Sequence, residues 1–217
     1  MVPPFRLGAI FGPMCSSKTA TLISLASTAR PRHPSLVVVR HALDARAHDH
    51  SPAAATAHAP LTSRTGATLA VHHSVPSLRA LPPPRAGALY VVDEAQFFPP
   101  GDLLWLWGSL APLPGAALLA AGLDLDFARR PFGATLELAA AARALGREGL
   151  VAPLTARCCH RGAPSGPPCG APAPFTQRLA AGGAGQLVVG GAAFYRPACA
   201  AHHEPAPIEG SAWAEEA

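Results

Sequence analysis

The chain has 217 residues, 49% of them hydrophobic, and a net charge of +4 at pH 7. This length suits one domain with a small appendage, and the sequence has no apolar run of about 18 residues that would span a membrane. The first residues lack the basic and apolar parts of a secretory signal, so we expect a cytoplasmic protein. In that reducing setting, five cysteines indicate metal binding or chemistry more than disulfides.

The first predicted elements surround a glycine-containing loop. Residues 6–11 form a short apolar run typical of a buried strand, and residues 18–30 have the apolar spacing of a helix that stops near Pro31. Between them lies GPMCSSKT, which resembles the phosphate-binding pattern GxxxxGK[ST] except that Ser17 replaces the second glycine. A helix amino terminus after such a loop offers free N–H groups to phosphate.

The basic residues carry a second signal for the same loop. Of the 17 basic residues only Lys18 is a lysine, and asparagine is absent, as expected for a GC-rich genome that favours arginine codons. A compact ammonium fits among phosphate oxygens and backbone N–H groups where a planar guanidinium does not. The retention of Lys18 therefore favours a nucleotide site.

The rest of the chain alternates strands and helices. Residues 35–40, 87–98 and 116–127 read as strands, and residues 101–110 and 134–145 read as helices. This alternation predicts an α/β fold with a parallel sheet as a phosphate-loop core. Residues 41–70 are predicted to be a long loop, and we interpret the histidines there and just beyond it as solvated loop residues: His41, His48, His50, His58, His72 and His73.

The composition divides the chain into three parts. Glycine, proline and cysteine dominate after about residue 150, which predicts a small zinc-ribbon-like lobe after the core. We expect a nucleotide-binding kinase domain over residues 1–150, a zinc-binding substrate lobe over 151–205 and a flexible tail over 206–217.

An acidic pair follows the predicted strand at residues 87–98. In nucleoside triphosphate sites Mg²⁺ is held by the loop hydroxyl and by an aspartate at the end of an apolar strand, here Thr19 and Asp93. Glu94 is then available as a general base for a substrate hydroxyl. The alternative is that Asp93 and Glu94 cap the following helix.

Cysteine and histidine spacing predicts a tetrahedral Zn²⁺ site. Cys158 and Cys169 lie in one segment, and Cys199 with His202 forms a C-x-x-H pair about 30 residues later. The spacing leaves Cys159, His160 and His203 open as competing ligands. Cys15, within the phosphate loop, reads as a small packing residue more than as a nucleophile.

These motifs together resemble the type II thymidine kinases, the cellular, bacterial and poxvirus-like group with a zinc lobe. The resemblance covers about residues 5 to 203 and rests on GPMCSSKT, DEAQFF, GLDLDFARRPFG, LTARC, TQRL and GGAAFYRPAC in that order. The departures are Ser17 for glycine, Cys15 for an aromatic residue, Arg64 in SRTG for histidine, and a long spacer between the first two cysteines.

The resemblance implies transfer of the γ-phosphate of ATP to the 5′-hydroxyl of thymidine or deoxyuridine, with Mg²⁺ and a structural Zn²⁺. It implies Glu94 as the base and Arg46, in the DAR segment with Asp44, as a group that steadies the transferring phosphoryl charge. The implied nucleotide and metal residues are Gly12, Pro13, Met14, Cys15, Ser16, Ser17, Lys18, Thr19, Asp44, Arg46, Asp93 and Gln96. The implied thymidine residues are Phe97, Phe127, Gln186, Leu187, Val188, Val189, Gly190 and Tyr195.

Family resemblance further implies a homotetramer with thymidine and ATP as partners and neither membrane nor nucleic acid. Two alternatives remain at this point. One is a degenerate relative that binds nucleotide without phosphoryl transfer, which Ser17 suggests. The other is a zinc-ribbon nucleic-acid binder, which the pI near 9.1 suggests and which the scarcity of aromatic residues near a basic stripe argues against.

Overall fold

The computed structural model of the protein describes residues 4–44, 59–163, 165–179 and 194–205. Its centre is a six-stranded sheet in which every neighbouring pair runs parallel. In chain order its strands are β1 (Leu7–Phe11), β2 (Ser35–His41), β5 (His73–Val75), β6 (Ala88–Asp93), β7 (Ala117–Gly122) and β8 (Gly149–Pro153). Their spatial order is β5-β2-β6-β7-β1-β8, which confirms the predicted α/β class.

In the described part of the chain, three α-helices cover the two faces of this sheet: α1 (Lys18–Ala29), α2 (Asp102–Leu110) and α3 (Thr135–Ala144). Side chains alternate across the sheet, so Ile10 of β1 packs in one core with α1, whereas Ala9 and Phe11 face the other core with α2 and α3. The strands are buried on both sides and therefore read as continuous apolar runs in the sequence.

The structure differs from the sequence prediction at several element ends. The strand predicted to reach residue 98 stops at Asp93, and a short 3-10 helix (Ala95–Phe97) follows. The strand predicted to reach residue 127 stops at Gly122, because Asp126 Oδ1 accepts hydrogen bonds from the backbone N–H groups of Ala128 (2.8 Å) and Arg130 (2.9 Å) and folds the chain into a turn.

Two strands of the sheet, β5 and β8, were not predicted. β8 pairs with β1 over the whole strand, from Leu7 against Gly149 to Phe11 against Pro153. The sheet thus continues to residue 153, so the boundary predicted at residue 150 lies inside a strand. The segment predicted as a long loop also contains a two-stranded hairpin of β3 (Leu61–Thr62) and β4 (Thr68–Leu69).

The described residues of the carboxy-terminal lobe contain two antiparallel strand pairs. β9 (Ala156–Arg157) pairs with β10 (Pro172–Ala173), and β11 (Phe175–Arg178) pairs with β12 (Tyr195–Ala198). A backbone hydrogen bond from Met14 N–H to Thr176 Oγ1 (3.0 Å) attaches the second pair to the loop after β1. The lobe is therefore joined directly to the segment predicted to bind phosphate.

The expectation that the histidines are solvated is wrong for His41. Its side chain is buried, Nε2 lies 2.9 Å from the carbonyl oxygen of Pro76, and its ring meets Phe98 edge-on at 4.9 Å. Nδ1 of His72 accepts a hydrogen bond from Val38 N–H at 3.0 Å. Both residues lie at the sheet, where a ring nitrogen satisfies a backbone group. His48, His50 and His58 lie outside the described residues.

Candidate active site

The loop between β1 and α1 is closed by its own lysine. Lys18 is buried, and its ammonium donates to the carbonyl oxygens of Gly12 (3.0 Å) and Pro13 (2.7 Å). Burial lowers the pKa of Lys18, and the carboxylates of Glu94, Asp93 and Asp124 oppose that change. The ammonium therefore stands between loop carbonyls and a group of acids, where an anionic ligand can replace the carbonyl contacts.

Ser17 adopts the backbone conformation that a glycine favours. Its φ and ψ are 65° and 26°, in the left-handed region, and Cys15 has a φ of 64°. The Ser17 side chain is exposed and makes no capping hydrogen bond with the described part of α1, so it does not fill the loop. The substitution of serine for glycine thus costs backbone strain of roughly 1–2 kcal/mol and leaves the interior of the loop open.

Asp93 meets the loop at the end of β6. The Thr19 hydroxyl donates to Asp93 Oδ2 at 3.1 Å, and Asp93 is only 4% exposed. Burial, followed by the charges of Glu94 and Asp44, raises the pKa of Asp93 to about 7. A cation bound between these oxygens would favour the charged carboxylate, because an opposite charge at this range lowers a carboxyl pKa.

Glu94 follows in a strained conformation, with a φ of 49° and a ψ of 45°. Gln96 Nε2 donates to Glu94 Oε2 at 2.5 Å, and Gln96 Oε1 accepts from Leu123 N–H at 2.9 Å. Within the described residues the Glu94 side chain makes no capping hydrogen bond to the short helix after it. The Glu94 side chain therefore does not cap this helix, as the alternative interpretation of the acidic pair required of it.

Asp124 is an acid of this site to which the sequence analysis assigned no role. Its Oδ1 is buried and has no hydrogen-bond partner within the described residues. Burial raises the pKa of Asp124, backbone N–H groups of residues 124 and 125 oppose this, and the Lys18 charge opposes it further. The only signal in the sequence was its place in GLDLDF, an acid inside the segment predicted as a strand over residues 116–127.

The predicted thymidine residues fall into two aromatic groups. Phe127 and Tyr195 are buried with ring centroids 6.4 Å apart, and the Arg178 guanidinium lies 4.8 Å from the Phe127 ring. Phe97 meets Phe132 edge-on at 6.5 Å. Burial raises the Tyr195 pKa, and the Arg178 charge opposes that shift. The predicted residues Gln186–Gly190 and Arg46 lie outside the described residues, whereas Asp44 is buried near Asp93.

A cavity of about 410 Å³ opens beside the phosphate loop. It lies between that loop and the start of the carboxy-terminal lobe, where β8 has just ended next to β1. Ligands of parallel α/β sheets bind at this edge, outside the carboxyl ends of the strands. The cavity is lined by Cys15, Ser16, Ser17, Thr155, Ala156, Arg157 and Pro172.

The carboxy-terminal lobe gathers four metal-ligand side chains. One ligand atom from each lies within 4.8 Å of the others, in the set Cys158, Cys169, Cys199 and His202. His202 Nδ1 is 3.6 Å from Cys158 Sγ and 3.4 Å from Cys199 Sγ. Burial opposes ionisation of Cys158, but hydrogen bonds from the Cys199 and His160 backbone and from His202 lower its pKa to about 6. Three thiolates and one imidazole at this spacing fit Zn²⁺.

The structure also separates these four from the competing residues. Cys159 is exposed and its thiol contacts Arg157 O at 3.5 Å, while His160 stacks on His202 with ring centroids 4.0 Å apart. His203 points the other way: Nδ1 accepts from Arg129 Nε at 3.1 Å, and Nε2 lies 3.1 Å from Thr176 O.

The long spacer between the first two cysteines closes into a hairpin. Cys169 N–H donates to His160 O at 2.8 Å, and Gly170 N–H donates to Cys158 O at 3.0 Å. These bonds bring the two cysteines together although ten residues separate them in the sequence. The unusual spacing therefore does not keep the two cysteines apart.

A parallel α/β core, a phosphate loop closed by a buried lysine and an acidic pair at the end of β6 together define a phosphate-loop nucleotide-binding protein. Its carboxy-terminal appendage carries a Cys/His cluster that fits a metal ion. Among the described residues, no helix has both the length and the apolarity needed to cross a membrane. The family model for thymidine kinase matches residues 6–203. The chain therefore belongs to the thymidine kinase family.

Similarity to individual thymidine kinases extends over most of the chain. The protein from Deinococcus deserti is 34% identical over 212 residues, which cover 91% of this chain and 94% of the relative. The protein from Deinococcus radiodurans is 33% identical over 82% of this chain and 77% of the relative. The one from Thermococcus kodakarensis is 29% identical over 94% of this chain and 96% of the relative.

Proposed function

We propose that this protein is a thymidine kinase that transfers the γ-phosphate of ATP to the 5′-hydroxyl of thymidine. The observation that carries the proposal is the convergence of Lys18, Thr19 and Asp93 with Glu94 at one edge of the sheet. Family membership supports thymidine and ATP as the substrates. The similar proteins from both Deinococcus species carry the name thymidine kinase.

The phosphate loop would hold the triphosphate through its backbone N–H groups and Lys18. The ammonium now satisfied by the carbonyls of Gly12 and Pro13 would turn to phosphate oxygens when ATP binds. Thr19 and Asp93 would hold Mg²⁺, which supplies charge neutralisation on the transferring phosphoryl group. The adjacent cavity of about 410 Å³ has room for the nucleoside part of the donor.

Glu94 would accept the proton of the thymidine 5′-hydroxyl while the hydroxyl oxygen bonds to the γ-phosphorus. The bond from that phosphorus to the bridging oxygen breaks, and ADP leaves with the electron pair. Phe127 and Tyr195 would pack near the thymine ring, and residues 186–190 are proposed to close over it. Exclusion of water by such packing strengthens the charge interactions on the phosphoryl group.

Cys158, Cys169, Cys199 and His202 would hold a structural Zn²⁺ whose role is to keep the carboxy-terminal lobe folded. Through the bond from Met14 N–H to Thr176, the folded lobe supports the phosphate loop. We also propose the homotetramer implied by the family, which light scattering on the purified protein would test.

The decisive experiment is a turnover assay with ATP and Mg²⁺ across thymidine, deoxyuridine and the other deoxynucleosides. We expect thymidine to be phosphorylated and Glu94→Gln to lose at least about a hundredfold in kcat, because a positioned base contributes roughly that much. Glu137→Gln on the exposed side of α3 makes the same chemical change away from the site and serves as the control. Full activity of Glu94→Gln would remove the assigned base.

A second candidate function follows from the left-handed backbone at Ser17. A strained loop can bind nucleotide yet hold the γ-phosphate out of line, which would give a binding protein without turnover. Calorimetric titration with ATP, run on the sample used for the assay, separates the two: binding without thymidine phosphate formation favours this second function.

A further inference from the structure

The side chain of Gln96 is the most enclosed polar group next to the proposed base. It is 1% exposed, and it lies between the Glu94 carboxylate and the backbone after β7. Resemblance to the family implied only that Gln96 belongs to the nucleotide site. Its contacts point to a different role.

The direction of the Gln96 amide is determined by its neighbours. Leu123 N–H is a fixed donor, so the amide atom 2.9 Å from it must be the oxygen. The NH₂ group then faces Glu94 Oε2 at 2.5 Å and can only donate. A flipped amide would set two donors against each other at Leu123 and two acceptors against each other at Glu94, and both hydrogen bonds would be lost.

Two glycines make room for this arrangement. A Cβ atom at Gly122 would lie 2.9 Å from Gln96 Oε1, and one at Gly133 would lie 2.7 Å from Gln96 Cα. Gly133 also has a φ of +63°, which side chains rarely adopt. The segment from Gly122 to Gly133 therefore wraps closely around Gln96 and leaves its side chain little freedom to move.

Glu94 has a left-handed backbone, and within the described residues its side chain makes no capping hydrogen bond to the short helix that follows. The hydrogen bond from Gln96 holds its Oε2. The second oxygen, Oε1, is then left to receive a proton. A misplacement of about 1 Å in such a group costs on the order of a hundredfold in rate.

We propose that Gln96 is a positioning residue that holds Glu94 Oε2 so that Oε1 points at the substrate hydroxyl. The inference rests on the proposed function, because it assigns Gln96 a role through the base of that reaction. It does not require Gln96 to contact ATP, thymidine or a metal ion.

The sharpest variant is Gln96→Glu, which keeps the shape and the bond from Leu123 N–H but replaces the donor facing Glu94 by an acceptor. We expect kcat to fall by about ten- to a hundredfold while the KM values for thymidine and ATP stay within about twofold. Gln177→Glu is the matched control. Gln177 is also buried, but its amide bonds the backbone of Glu204 (2.7 Å) and Arg178 (2.9 Å) in the other lobe.

A double-mutant cycle separates positioning from a general loss of structure. If Gln96 acts through Glu94, adding Gln96→Glu to Glu94→Gln should change kcat by less than about twofold. The swapped protein, Glu94→Gln with Gln96→Glu, restores a donor–acceptor pair in reverse. We therefore expect its melting temperature to recover toward that of the wild type while its kcat stays at the level of Glu94→Gln.

The outcomes distinguish the two proposals. If the wild type phosphorylates thymidine and Gln96→Glu has the same kcat, the positioning role is overturned and the kinase function still stands. The positioning role is also overturned if the fold-losses in kcat of the two single variants multiply in the double variant, because a residue that acts through Glu94 should have non-additive effects with it. A wild-type protein that does not phosphorylate thymidine overturns the proposed function, and the role of Gln96 falls with it.

Discussion

Replacement of Ser17 by glycine should stabilise the protein, although substitutions to glycine usually destabilise helices. Ser17 lies at the amino-terminal end of α1 with a φ of 65° and a ψ of 26°. An L residue pays roughly 1–2 kcal/mol for this conformation. Its side chain is exposed and forms no capping bond to the described helix, so glycine would lose neither packing nor a hydrogen bond.

The expected gain in the free energy of unfolding is the backbone strain that glycine removes, minus the cost of the extra conformational freedom that glycine gives the unfolded chain. Glycine costs about 0.5–1 kcal/mol in chain entropy, which leaves a net stabilisation of roughly 0.5–1 kcal/mol. For a chain of this size, 1 kcal/mol corresponds to about 2–4 °C in melting temperature. Scanning calorimetry and urea unfolding of Ser17→Gly would measure both quantities.

Two control variants test whether the backbone is strained at Ser17. Ser27→Gly makes the same substitution at an exposed position in the right-handed interior of α1, where glycine costs about 0.5 kcal/mol, so its effect should have the opposite sign. Ser17→Ala keeps the Cβ atom and should give no gain. If Ser17→Gly fails to exceed both in stability, or Ser17→Ala matches it, the loop is not strained at this position.

Three further predictions concern the charges and the metal lobe. Lys18→Arg should lower kcat/KM for ATP by at least about tenfold, because the planar guanidinium does not fit the buried position between the loop carbonyls; wild-type turnover would contradict this. Cys169→Ser should lower bound zinc from one ion per chain, measured by plasma mass spectrometry, and should also lower the melting temperature, because the lobe supports the phosphate loop through Thr176; an unchanged zinc content would exclude Cys169 as a ligand. The pKa of Asp93 is raised from 3.8 to about 7 in the folded protein, so without Mg²⁺ the native state binds the extra proton and stability should fall as pH rises from about 4 to about 7. Asp93→Asn should flatten this decline in urea unfolding, and an equally steep decline in that variant would assign it to other groups.

Local signals in the sequence carried much of the active site. The strand at residues 6–11, the loop and the helix from Lys18 were all predictable, because each depends on neighbours within a few residues. The acidic pair was predictable for the same reason, since Asp93 ends an apolar run. Composition singled out Lys18 as a candidate, and the ordered motifs predicted the family that the comparisons confirm.

Contacts between distant segments could not be read in this way. β8 has no distinctive pattern of its own and becomes a strand by pairing with β1, more than 130 residues earlier, so its position was missed. His41 looked like a loop residue because its partners, Pro76 and Phe98, come from other parts of the chain.

At the metal cluster, the sequence indicated the types of ligand, whereas the fold decided which residues come together. The residue types and pairs indicated a zinc site, because thiolate and imidazole are the ligands that Zn²⁺ selects. A spacing rule cannot distinguish the adjacent residues Cys158 and Cys159. The fold of the hairpin places Cys158 in the cluster and leaves Cys159 exposed to solvent.

The same division holds at Glu94, the proposed base. The presence of Glu94 and Gln96 two residues apart is a property of the chain, whereas the hydrogen bond between them depends on Leu123 and on close packing at Gly122 and Gly133. Residue identity sets which chemistry is available, because it supplies the ionisable and donor groups. Tertiary packing sets which of these groups meet, because their distances depend on segments that local sequence patterns do not relate.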